Sequence, residues 1–199
     1  MSTNNFTERQ IEIMEAATHR IDKFGIQELT IKNLAADINL SEAALYRHFK
    51  SKNEIMLSLL NYFIEELKTR LSKILNNTDR KASELLIDIF DSQLKTFVKN
   101  PSIVTVIFSE SIFQFNKELS ETVSAMMEMM QSHIEKIVKK GQEDGSISKI
   151  VGISTLTIII MGGMRITVLK WKLTGHQSDL VKDGRKVLDG IFKMVETNK

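Results

Sequence analysis

The groups best suited to chemistry are crowded into one stretch, "SEAALYRHFKSK", residues 41–52. Tyr46, Arg47, His48, Lys50 and Lys52 place a phenol, a guanidinium, an imidazole and two ammonium groups close together. Every formal charge between Ala43 and Asn53 is positive. Such a run of donors suits anionic oxygen: arginine offers a two-pronged fork, lysine and tyrosine single donors. Ala43 and Ala44 stand just before it, small enough to let a backbone approach a surface closely.

Other chemistries are poorly served. The chain has no cysteine, which excludes a disulfide framework, a thiolate metal site and a cysteine nucleophile. Its four histidines, His19, His48, His133 and His176, include no pair three or four residues apart. No phosphate-loop signature is present, and "MGGM" at 161–164 alone is not a nucleotide loop. We therefore expect no enzyme, no catalytic residue, no cofactor and no metal. The net charge of +2 over 199 residues does not by itself announce a nucleic-acid binder, so local charge must carry that reading.

The elements that position these groups are helical. Proline occurs once, at Pro101, glycine is sparse, and apolar residues recur at helical spacing. Thr7 with Gln10, and Ser51 with Glu54, are capping boxes that start helices. Gly25 stops the first helix, Thr30 caps a second, Asn39 breaks it, and Ser41 caps a third ending near Phe49. A long fourth helix begins at about Lys52. Apolar stripes over 82–99, 101–116, 117–143, 149–173 and 179–195 complete an all-α chain of about nine helices.

Residues 30–49 thus read helix, tight turn, helix, the proportions of a helix-turn-helix. Its second helix would enter the DNA major groove. Lys32, Ala43 and Arg47 are the candidate base readers, since Ala can touch a thymine methyl and Arg suits guanine. Thr30, Ser41, Tyr46, His48 and Lys52 are the candidate phosphate contacts. Leu34, Ala35, Ile38, Leu40, Leu45 and Phe49 would hold the helices together.

The segment "LTIKNLAADINLSEAALYRHFKSKNEIM", with Gly25 before it, resembles the tetracycline-repressor (TetR) family of bacterial transcription regulators. The resemblance implies a DNA-binding domain at 1–52 and a helical effector-binding and dimerisation domain at 53–199. It implies a cytoplasmic homodimer that binds a double-stranded operator, a repressor released by a small lipophilic effector. Ala44 departs from the hydroxyl residue common there, which removes one phosphate donor. "SEAALYRHF" also resembles the nucleoid-occlusion branch of the family, which implies an alternative: cell-division control through a protein partner.

For the effector, Phe63, Phe90, Phe97, Phe108, Phe113, Met126, Met127 and Met130 are wall candidates, although any helical bundle needs such a core. For the dimer, we expect an interface mainly at 149–197. It comprises Ile150–Leu169 and the stripe Leu180–Val195, with Gly162 and Gly163 admitting a partner helix and Trp171 anchoring one edge. Residues 150–164 carry no charge, but Arg165 ends the run short of the ~20 apolar residues a membrane span needs. No membrane partner is expected.

Overall fold

The computed structural model describes residues 6–76, 80–108 and 116–195. Nine α-helices and no strand occur among these residues: α1 Glu8–Phe24, α2 Ile31–Asp37, α3 Glu42–Tyr46, α4 Lys52–Leu75, α5 Ala82–Lys99, α6 Pro101–Ile107, α7 Lys117–Glu143, α8 Ile153–Leu173 and α9 Leu180–Val195. A 3-10 turn at Ile26–Glu28, which periodicity does not reveal, follows α1. Phe113 and Phe115 lie outside the described residues.

The capping residues act as expected except at Ser51, which accepts from Glu54 N–H at 3.1 Å while the Glu54 carboxylate takes the N–H of Lys50 and not of Ser51. Thr7 and Gln10 form a reciprocal box at the start of α1. Gly25, with φ 85°, ends that helix in a region that penalises any Cβ. Pro101 opens α6 at its first position, where a missing N–H costs nothing. One boundary differs: α3 stops at Tyr46, not Phe49, and the chain turns at Arg47 and His48.

The chain forms two compact units, Met1–Ile64 with Asn100–Val123, and Glu65–Lys99 with Ser124–Lys199. In the first, α1 packs on α2, the 3-10 turn and α6, while α2 packs on α3. Ile13, Ala17, Leu34, Leu45 and Phe49 are at most 1% exposed and form its core. In the second, α9 packs on both α5 and α8. Gly184 permits this: a Cβ there would stand 2.3 Å from Leu94 Cδ1 and 3.0 Å from Met164 Cε. One residue on, Arg185 grips the buried Asp91 of α5, its Nε 2.9 and 3.0 Å from the two carboxylate oxygens.

The connection between α7 and α8 is held from within. The buried Gln142 amide donates to the carbonyls of Ser148, at 2.9 Å, and Val151, at 2.7 Å. At the far end of α8, Gly175 and His176 both take positive φ. Gly175 N–H donates to Lys172 and His176 N–H to Trp171, a Schellman ending. The His176 ring lies 4.1 Å from that of Trp171, and Trp171 is buried in its own chain. It seals a helix end and is not left on the surface as an anchor. Gly163 likewise serves this chain, since a Cβ there would meet Val187 at 3.0 Å, whereas Gly162 faces open space.

Gly184→Ala is expected to cost ~1–3 kcal/mol through overpacking against Leu94 and Met164. Urea unfolding measures this, and an unchanged midpoint would show that α5 and α9 have room to spare.

Candidate nucleic-acid interface

The local sequence builds the helix-turn-helix from its ends. Thr30 Oγ1 accepts from Asn33 N–H at 3.1 Å to start α2, and Ser41 Oγ accepts from Ala44 N–H at 3.1 Å to start α3. Between them Asn39 adopts φ 52°, the left-handed geometry that lets Leu40 N–H return to the Ala35 carbonyl at 2.8 Å. Asparagine tolerates this conformation better than other residues with a side chain. In both caps the hydroxyl acts as acceptor, so its own hydrogen remains available to an outside oxygen.

Helix α1 is the frame for the pair. Arg20 reaches α2 with a fork on Asp37, Nε to Oδ2 at 2.5 Å and Nη2 to Oδ1 at 2.8 Å. The hydrogen bond with Arg20, and then its charge, hold the Asp37 carboxyl below the ordinary carboxylate value despite desolvation. Gln10 spans to the end of α3: its Oε1 takes Thr7 N–H at 3.0 Å, while Nε2 donates to the His48 carbonyl at 3.4 Å.

All eight candidate residues keep some exposure. Thr30, Lys32, Ser41, Ala43, Tyr46 and Arg47 are exposed, while His48 and Lys52 are half-buried. Leu34, Ala35, Leu45 and Phe49 turn inward, as their spacing requires, and Ile38 and Leu40 are half-buried. Arg47 lies at the C-cap of α3 and projects from the helix end.

Charge pairing separates the cations into two groups. Arg9 is paired with Glu12 and Arg20 with Asp37. Arg20 and Lys23 each lie 5.0 Å from the Phe24 ring. Lys32, Arg47, Lys50 and Lys52 have no carboxylate within ion-pair reach among the described residues. Sequence reasoning left Lys50 out of the site. Its signal was present, a lysine between two candidate contacts, and the structure places it exposed. The nearby carboxylate of Glu54 is engaged by Lys50's own backbone N–H. No group of three His, Asp or Glu able to hold a metal occurs among the described residues.

Residues 13–59 match the family described as bacterial regulatory proteins, tetR family, and residues 57–194 match the C-terminal region of YsiA-like protein. Among curated proteins, nucleoid occlusion factor SlmA of Vibrio campbellii is 26% identical over 141 residues, 70% of this chain and 71% of its own. Among solved structures, the transcriptional regulator FadR from Bacillus subtilis, in complex with stearoyl-CoA, has a TM-score of 0.79 at 19% identity, covering 94% of this chain and 99% of its own. The ketosteroid transcriptional regulator KstR2 of Mycobacterium tuberculosis has a TM-score of 0.80 at 18% identity, covering 97% of each chain. At these identities the structural likeness is one of fold.

Two stability outcomes follow from the frame. Asn39→Gly should fold as the parent does, while Asn39→Val should lose ~1–2 kcal/mol from the positive φ; equal thermal midpoints would contradict the turn geometry. Because the Asp37 pKa is depressed in the fold, its contribution is complete above the ordinary carboxylate value and is lost as pH falls through the depressed one. Asp37→Asn should therefore flatten the fall of the urea midpoint below roughly pH 4; an identical acid limb would remove Asp37 from that fall.

Proposed function

This chain belongs to the tetR family of bacterial regulatory proteins, and from that premise we propose a dimeric repressor released from its operator by a lipophilic small molecule. It is a DNA-binding transcriptional regulator of helix-turn-helix type. The observation that carries the site assignment is the set of cations without acidic partners, Lys32, Arg47, Lys50 and Lys52, clustered beside the helix-turn-helix, against Arg9 and Arg20 of α1, which are paired. In this reading Lys32, Ala43 and Arg47 face bases. Thr30, Ser41, Tyr46, His48 and Lys52 hold phosphates, and Lys50 joins them. Residues 1–52 act on DNA and 53–199 take the effector and pair the subunits.

The dimer reading rests on α8. It is the one described helix long and apolar enough to cross a membrane, yet only 28% of its most apolar stretch is buried. Ile158 is 60% exposed, Ile159 43% and Ile166 64%, and they share a face with Gly162. A second copy of the same helix covers this face in a two-fold arrangement, which supplies two reading heads for two half-sites. That occupant accounts for the apolar face of a cytoplasmic protein without a bilayer.

The effector reading draws on the second compact unit. Phe90, Phe97 and Met126 are buried there, Met130 is half-buried, and Met127 is 41% exposed. Methionine and phenylalanine accommodate large apolar shapes. Phe63 is buried and Phe108 half-buried in the first unit. The stearoyl-CoA bound by the FadR neighbour and the ketosteroid named for KstR2 are both large and lipophilic, and support that chemical class.

The identity with SlmA favours a second reading, nucleoid occlusion through a protein partner. Genome-wide mapping of bound DNA separates the two. A repressor occupies a few promoters, whereas an occlusion factor occupies many dispersed sites and its loss disturbs division.

Lys52→Ala should weaken binding to all operator sequences and reduce the salt slope by about 1, whereas Arg47→Ala should relax preference at one base pair at ~1–3 kcal/mol. Unchanged affinity in both folded variants would remove the assignment. Ile158→Glu with Ile166→Glu should give monomers in sedimentation at micromolar concentration and abolish operator binding; a persisting dimer would move the interface elsewhere.

A further inference from the structure

Six threonines on or ending the helices share one arrangement. Thr18, Thr69, Thr96, Thr122, Thr167 and Thr174 each donate their hydroxyl to the carbonyl four residues back, at 2.8–3.0 Å. Thr157 does not. Its side chain on α8 is 0% exposed, and Oγ1 has no hydrogen-bond partner. A hydroxyl stripped of water and given nothing in exchange is costly, so a fold keeps it where something else supplies the partner.

Its placement says where that partner comes. Thr157, Ile160 and Met164 lie on one buried arc of α8. The Met164 methyl reaches the contact of α8 with α9 at Gly184. Thr157 stands two turns, about 10 Å, along the helix from it. It therefore faces the interior of the second compact unit, on the opposite side of α8 from the exposed Ile158, Ile159 and Ile166. The surrounding buried side chains on this arc are hydrocarbon or thioether, so none offers a strong acceptor.

We infer that the Thr157 hydroxyl is the polar anchor of the effector site and donates to a carbonyl oxygen set in a lipophilic skeleton. This rests on the lipophilic-effector reading and adds to it the functional group that is read. An acyl thioester and a ketosteroid both present such an oxygen. A donor buried among apolar side chains discriminates well, because the ligand lacking the acceptor leaves the hydroxyl unpaired.

The test titrates the full-length chain and its Thr157→Val and Thr157→Ser variants by calorimetry. The ligands are stearoyl-CoA and its S-octadecyl thioether, which lacks only the acyl carbonyl, and a 3-ketosteroid with its 3-deoxy counterpart. The parent should bind one carbonyl ligand about tenfold tighter than its partner compound. The pair that shows the preference identifies the source. Valine, close in shape, should erase the preference while raising the thermal midpoint, and serine should restore it. A valine variant that gains stability and keeps the full preference would assign the hydroxyl to an internal water and overturn the inference. A parent that binds both members of a pair equally overturns it as well, leaving the effector reading intact. A parent that binds none of the four overturns the effector reading and this anchor together.

Discussion

A long helix with apolar residues on all sides must be covered on all sides, and α8 is such a helix. The chain covers one arc of it, through Leu156, Ile160, Met164, Val168 and Trp171. The opposite arc, with Ile158, Ile159 and Ile166, is left to water in a single chain. Burying apolar surface is worth roughly 25 cal/mol per Å², so an uncovered face of this kind is a standing drive to associate. The covered arc depends in turn on a close fit. Gly184 lets α9 lie against Leu94 and Met164, and Asp91 with Arg185 orients α9 on α5. In the proposed dimer, the pairing of subunits would rest on how α9 divides α8 into an inner and an outer face.

The reading head obeys a different constraint, the assignment of charge. Its acids neutralise cations on the frame helix, where Arg9 meets Glu12 and Arg20 meets Asp37. Lys32 of α2, Arg47 and Lys50 between α3 and α4, and Lys52 at the start of α4 have no such partners among the described residues. An unpaired, hydrated lysine or arginine is inexpensive at a surface and pairs readily with a phosphate. The hydrophobic residues between them, Leu34, Leu45 and Phe49, fix the two short helices so that the free cations are not spread over the domain.

Much of this was legible in the chain. Thr7, Thr30 and Ser41 cap as their positions suggest, and Gly25 and Asn39 take the positive φ that their side chains permit. These are contests within four or five residues, which sequence describes fully. The end of α3 was misplaced by three residues because Arg47, His48 and Phe49 have adequate helix propensity. At that end Phe49 enters the core and Gln10 of α1 reaches the His48 carbonyl, neither of which local propensity records.

The two glycines of α8 and its tryptophan show the limit most clearly. Sequence presents Gly162 and Gly163 as equivalent, and Trp171 as a large residue near the same helix's end. Only the packed chain separates them: Gly163 meets Val187, Gly162 opens outward, and Trp171 turns in to receive His176. By itself the sequence determined the helices, their caps, the tight turn and the donor-rich stretch 41–52, because those depend on backbone geometry and near neighbours. The tertiary structure decided which cations stay unpaired, which face of α8 is left for a partner and which threonine hydroxyl goes without its usual carbonyl. Those outcomes depend on residues brought together from distant parts of the chain, and local sequence pattern carries no record of that proximity.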